Sequence, residues 1–393
     1  MAGFSRSDFD NLDVTTTDVK TAYGETMVAE ITPIIQTDFN YNVNSEIFIT
    51  GSVSGSASAV SGNLVLQCSA SSGSYSEIRT RKFIKLRTGQ GNAVRMSAMF
   101  TTGASTSTQI YGIGDSQNGY FVGMTGSQFG VMRRNNGVDY WVTQNNFSTD
   151  TLDGQGESRM VLDPTKGNVF DIQYQWLGYG AIHFNIEDQA TGRIKEFHRI
   201  NYANQNVVPS TRFGSNPIHA KVTNYGTGSS PVIKSASMLG YVEGQLIYSG
   251  PRFAQSNIKS VLATTKTNVL TIKNPSTYHS LTNKVPVKIL YISLACEGTK
   301  PVIFEIIKNA TLGGTPSYTN INVDTSVMQY DIAGTTANNG SLVTTFTLAK
   351  SDSFTVDAAT LNLFIQPEET LTISAYSSNA TEATACFTWV EDH

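Results

Sequence analysis

The stretch DPTKGNVFDIQYQWLGYGAIHFNIE, residues 163–187, decides the fold. Phe170, Ile172, Tyr174 and Trp176 alternate with Asp171, Gln173 and Gln175. Beyond Gly178-Tyr179-Gly180, Ile182, Phe184 and Ile186 alternate with His183, Asn185 and Glu187. A period of two belongs to a strand with one buried face. If the three residues 178–180 form the loop, Trp176 faces Ile182, Tyr174 faces Phe184 and Ile172 faces Ile186, so every apolar side chain shares one side. A two-residue loop mixes the faces, so the register argues for three, with Gly180 taking the left-handed position. The polar side of this hairpin then sets Asp171 directly opposite Glu187 and carries Gln173, Gln175, His183 and Asn185.

Outward from the hairpin the same pattern recurs. Short apolar runs fall at 94–100, 109–113, 119–123 and 128–134, and Asn136-Gly137 turns the last of these into 138–143. Others follow at 194–199, 219–225 and 233–242, then at 269–272, 287–294, 302–308, 342–348, 361–366, 370–376 and 383–390. Residues 51–76 are rich in Ser and Gly and read as a long loop or as strands with small side chains. In 78–87, Arg79, Arg81, Lys85 and Arg87 would line one face of a strand. Helical patterning is confined to one or two turns near 17–23. Of the 393 residues only 15% are charged and 33 are Gly, a composition that suits an all-β protein.

The chain divides into an arm (1–50), a first β domain (51–248) and a second (249–393), with the boundary at Tyr248-Ser249-Gly250-Pro251. Pro33 interrupts the apolar run 27–35, which is therefore an edge strand or an extended attachment element. The first domain reads as one antiparallel β domain, and the strand density of the second suits a sandwich or jelly roll.

Chemistry is sparse. The net charge of −4 does not favour a nucleic-acid partner. Cys68, Cys296 and Cys386 are odd in number and far apart, matching neither a disulfide framework nor a zinc site. The N-terminus has no apolar core of a signal peptide and no run approaches 18 apolar residues, so neither a leader nor a membrane span is expected. No phosphate-binding loop, zinc-protease motif or nucleophile elbow occurs, and no metal or other cofactor is implied. Asp171 and Glu187, about 4.5–5.5 Å apart if opposed, are weak candidates for the carboxylate pair of a retaining glycosidase. Gln173, Gln175, His183 and Asn185 can donate to and accept from sugar hydroxyls, which makes them weak candidates for glycan binding. The ordinary alternative is a solvated sheet face.

Several segments carry a resemblance. RTGQGNAVRMSAMF (87–100), QIYGIGDSQNGYFVG (109–123), FGVMRRNNG (129–137), the block 162–188 and HRINYAN (198–204) resemble virion structural proteins of tailed bacteriophages and large DNA viruses. The same order of motifs is similar to concanavalin A-like, laminin-G-type sandwiches, which implies an antiparallel β-sandwich of that kind for the first domain, followed by a jelly-roll-like one. LFIQPEETLTISAY (363–376) and FTWVED (387–392) are similar to terminal domains of phage capsid or fibre proteins. The resemblance implies a non-enzymatic component of a virus particle, in the capsid, a spike or a fibre. Its implied partners are other virion proteins and further copies of itself, a trimer by analogy with fibres, and a host surface glycan. A glycan-binding module is the alternative function, with a two-carboxylate glycosidase behind it.

Overall fold

The computed structural model describes residues 31–246, 248–262 and 265–391. The described chain is all-β, and among these residues the one helical segment is the 3-10 turn Gln144–Asn146. The expected helical turns at 17–23 lie outside the described residues. Two compact units form: residues 31–80 with Ile84–Leu246, and Arg81–Phe83 with the residues after Ile247.

The first unit is a sandwich of two antiparallel sheets. One has seven strands, in spatial order Val138–Thr143, Gln128–Asn135, Gly119–Thr125, Ser107–Gly114, Ile218–Asn224, Ser74–Thr80 and Phe48–Val53. The other has nine. Ile194–Ile200, Ile182–Glu187 and Asn168–Tyr174 lead to the long strand Asn92–Phe100. That strand pairs beyond with Ser237–Glu243 along its first half and with Val232–Ser235 at its end. Residues 51–76 resolve into strands, of which Gly55–Val60 has small side chains while Asn63–Cys68 buries Leu64 and Leu66.

Of the expected arm, Ile31–Asp38 is an edge strand on Ser237–Glu243, with a register shift between Pro33 and Ile35. Proline has no N–H for a ladder, so an edge with a bulge is where a sheet tolerates it. The expected strand over 78–87 ends at Thr80. The row of Arg79, Arg81, Lys85 and Arg87 is therefore broken, and Lys85 is buried.

The central hairpin exists, with a corrected register. Tyr174 faces Ile182, Ile172 faces Phe184 and Phe170 faces Ile186, so the connection spans residues 175–181. Tertiary bonds pull the expected strand end out of the ladder. Gln175 donates from Nε2 to the Gly89 carbonyl at 2.7 Å, and Trp176 from Nε1 to the Thr211 carbonyl at 3.2 Å. The left-handed glycine is Gly178, at φ +87°, in place of Gly180. A slip of two residues keeps every side chain on its face and changes only its opposite neighbour.

Between the sheets Phe170 stacks on Phe129 with ring centres 5.6 Å apart, and Phe100 lies 6.3 Å from Phe170. The fully buried tyrosines keep their hydroxyls bonded: Tyr111 to Ser235 at 3.0 Å, Tyr120 to Ser210 at 2.7 Å, and Tyr174 to the Gly214 carbonyl at 3.1 Å. Such bonds let an aromatic ring contribute its apolar area without stranding its polar end.

The second unit is a smaller sandwich of a five- and a six-stranded sheet, built around the strands Val287–Glu297, Thr370–Ser377 and Thr381–Glu391. The expected strand at 361–366 shrinks to Phe364–Ile365. Buried Trp389 donates to Glu391, whose carboxylate also accepts from the Ser326 hydroxyl and the Val327 amide.

Candidate functional site

The outer face of the seven-stranded sheet holds an apolar cluster separate from the main core. The Asn136-Gly137 turn, with φ of 50° and 78°, is the two-residue type that matches strand twist. It sets Trp141 opposite Met132 and Asp139 opposite Arg134. Met132 in turn faces Phe121, and Phe121 faces Gly112, whose other neighbour is His219. Gly112 carries no side chain, so Phe121 and His219 meet across it edge to face, with ring centres 6.0 Å apart. Ile110, Phe121 and Met132 are buried with half-buried Trp141 packed on them, and Ile110 and Trp141 form the floor of a hollow.

Polar groups ring this floor. Arg134 forks onto Asp139 with bonds of 2.6 and 2.9 Å and gives a further 3.0 Å bond to the Asp115 carbonyl. Its guanidinium also lies 5.4 Å from the centre of the Phe121 ring. Lys221 pairs with Glu77 at 3.0 Å and sits over the Tyr75 ring. The hydroxyl-bearing Thr108 and Thr223 complete the wall of a cavity of about 200 Å³. At ~30 Å³ per water molecule that is room for about six or seven waters.

Buried His219 lines one end of the cavity, with half-buried Glu77 beside it. His219 Nε2 is 3.4 Å from a Glu77 carboxylate oxygen. His219, aided by Lys221, holds Glu77 down at about 2 despite burial. Burial pushes the His219 imidazole below its ordinary range, against the pull of Glu77, so the ring is neutral at pH 7. His219 is 3% exposed, and neither of its ring nitrogens has a hydrogen-bond partner among the described residues, Nε2 standing only at ion-pair distance from Glu77.

The residues expected to form a site lie on the outer face of the other sheet, and they do not form one cleft. Asp171 faces Asn185, with Glu187 further on, opposite Ile194 and exposed. The glycosidase pair is therefore not assembled. Asp171 is fully buried and accepts from Arg95 at 3.1 Å, from Asn185 at 3.1 Å and from the Tyr241 hydroxyl at 3.4 Å. Burial drives its carboxyl upward, with Arg95 opposing. His183 is bonded to Glu196, Gln173 is half-buried beside it on the same face, and Gln175 is turned to Gly89. Asn185, His183 and Gln175 are thus each engaged with a different neighbour, so they do not make one open row of amides.

The cavity residues Arg134, Asp139, Trp141, His219 and Lys221 escape a reading that follows one hairpin. Their signal was present in the Asn136-Gly137 turn, which by itself fixes the pairs Arg134–Asp139 and Met132–Trp141.

No family model matches the chain, and no curated protein matches it. Solved structures do match, each along nearly its whole length. The carbohydrate recognition domain of Emp47p is 11% identical, covering 55% of this chain and 98% of its own, with a TM-score of 0.35. A legume lectin-like domain from Entamoeba histolytica is 9% identical, covering 54% and 100%, with a TM-score of 0.31. A putative β-glucanase from Mycobacterium abscessus is 8% identical, covering 53% and 100%, with a TM-score of 0.36. The fold is the expected one: an antiparallel sandwich of the concanavalin A-like kind followed by a second β-sandwich. The virion expectation is corrected: the solved structures that match are carbohydrate-recognition, legume lectin-like and glucanase domains. Likeness this remote speaks to fold, so function is argued below from the side chains.

Proposed function

We propose that this protein is a glycan-binding module whose site is the cavity on the outer face of the seven-stranded sheet. The observation that carries the reading is an aromatic floor, Trp141 backed by Phe121, inside a ring of donors and acceptors of both signs. A sugar ring is amphipathic in the same way: its C–H face packs on an indole, while its hydroxyls need partners that both give and take hydrogen bonds. Asp139 supplies acceptors, and Lys221 and the threonine hydroxyls supply donors.

The same geometry argues for binding without hydrolysis. A glycosidase needs one carboxyl kept protonated near neutral pH beside a second that is ionised. Glu77, at about 2, stays ionised, and Asp139 is engaged by the Arg134 fork. Asp171, whose carboxyl burial drives upward, is sealed on the other sheet.

The test is titration of the full chain with simple methyl glycosides, followed by ligand-observed NMR and calorimetry. Binding near 1 mM, about −4 kcal/mol, is expected for one sugar ring. Trp141→Ala should weaken it at least about tenfold without unfolding the protein. Unchanged affinity in a folded Trp141→Ala variant, or binding by none of the sugars, overturns the reading.

A further inference from the structure

We propose that the second unit closes an amide bond within itself, from Lys259 Nζ to Asn268 Cγ, with Asp331 carrying the proton and ammonia leaving. The bond involves no residue of the sugar cavity and does not rest on the glycan-binding reading.

Three strands bring the groups together. Arg252–Val261 is an edge of the five-stranded sheet, and its more buried side carries Asn257, Lys259 and Val261. Thr267–Lys273 belongs to the six-stranded sheet, and Asn257 Nδ2 donates to its Val269 carbonyl at 2.8 Å, which ties the two strands. Gln329–Asp331 pairs with Thr267–Lys273 and sets Asp331 opposite Thr271. Lys259 Nζ donates to the Ile332 carbonyl at 3.0 Å and to the Gly334 carbonyl at 2.6 Å. Asn268 Nδ2 reaches that same Gly334 oxygen at 3.4 Å. Amine and carboxamide therefore share one acceptor, and the flexible lysine stem lets Nζ leave it for the neighbouring carbon.

The other parts of an acyl transfer converge on Asn268, which is fully buried. Its Nδ2, the leaving group, donates to Asp331 Oδ1 at 3.1 Å. Its Oδ1, where charge gathers as the carbon becomes tetrahedral, accepts the Thr271 hydroxyl at 2.9 Å. Thr372 holds Thr271 at 2.8 Å, and the Gly334 and Ser317 amides hold Asp331. Thr271 and Asp331 are also fully buried, and donors fixed out of water stabilise developing charge best. Burial pulls the Lys259 ammonium below the ordinary lysine range, against Asp331, which eases loss of the proton that masks the nucleophile.

The step balances without a co-reactant. Asp331 takes a proton from the Lys259 ammonium, and the freed lone pair on Nζ forms the bond to Asn268 Cγ. Asp331 passes that proton to Nδ2, and the Cγ–Nδ2 bond breaks. The ammonia released takes the surplus proton from Nζ and leaves as ammonium. Held neighbours react where free amine and amide in water do not, because their encounter is already made.

Intact-mass spectrometry of the full chain, denatured after purification at pH 7.5, should find it lighter than its sequence by one ammonia. Trypsin should fail to cut after Lys259 and should leave residues 253–266 joined to 267–273 as a branched peptide. Lys259→Arg keeps the charge but does not attack an amide, and should match its own sequence mass. Asp331→Asn should do the same. Wild-type chain at its full sequence mass, with 253–259 released by trypsin, overturns the proposal whatever the variants do. So does loss of ammonia without the joined peptide, the mark of Asn268 closing on its own backbone. A folded Asp331→Asn variant that still carries the joined peptide overturns the role of Asp331.

Discussion

Replacing His198 tests how burial controls charge in the first unit. In Ile194–Ile200 a register shift puts His198 opposite Phe184 and Glu196 opposite Asn185, so that Phe197 and His198 both turn inward. Phe147 packs on both rings, 4.9 Å from Phe197 and 5.5 Å from His198. The Ser148 amide donates to His198 Nδ1 at 3.0 Å, which places the remaining hydrogen on Nε2, an atom with no partner among the described residues. Burial, opposed by Glu196, lowers the imidazole to about 4. The sign follows from proton counts. Below the unfolded value of about 6.5 the unfolded chain holds a proton that the folded chain lacks, so stability falls as pH drops from 6.5 toward 4. At pH 5 the gap is about 1.5 pH units at ~1.36 kcal/mol each, or about 2 kcal/mol. His198→Asn keeps an acceptor for the Ser148 amide and cannot titrate. It should be less stable at pH 7.5, having lost a packed ring, yet it should lack the acid loss of about 2 kcal/mol. Hydrogen exchange read by mass spectrometry on peptides from 168–200, at pH 7.5 and pH 5 with intrinsic rates corrected, follows this unit without interference from the other. Parallel losses in wild type and variant would refute the reasoning.

Two further perturbations probe the hairpins. Arg95→Ala leaves the buried Asp171 carboxylate without its cation and should cost about 2–3 kcal/mol at pH 8. With the opposing charge gone the folded carboxyl rises further and holds its proton, so denaturant unfolding should show a smaller loss at pH 5. Gly137→Ala forces a Cβ onto φ +78°, where it meets nothing closer than a Gln117 side-chain oxygen at 3.4 Å, so the cost is conformational, about 1–2 kcal/mol. Because that turn sets Trp141 and Asp139, sugar affinity should fall with it, and a thermal shift with no change in affinity would separate turn from site.

Periodicity alone determined a good deal here. Alternation in 170–176 and 182–186 placed Phe170, Ile172, Tyr174, Phe184 and Ile186 in a core between sheets, and all are buried. The parity of a strand depends only on its own residues, and a slip of two leaves it intact. Pro33 marked an edge, and Asn136-Gly137 marked a tight turn, since each constrains its own backbone. Opposite neighbours were not legible. Asp171 meets Asn185 because Gly89 and Thr211, remote in sequence, draw Gln175 and Trp176 out of the ladder. The cavity was less legible still, since it needs Trp141 and Arg134 from one hairpin beside Phe121 and beside His219 from a strand some eighty residues later in the chain. Local alternation decides which way a side chain points, whereas which side chains share a hollow depends on how distant strands lie side by side, and that only the packed sheets decided.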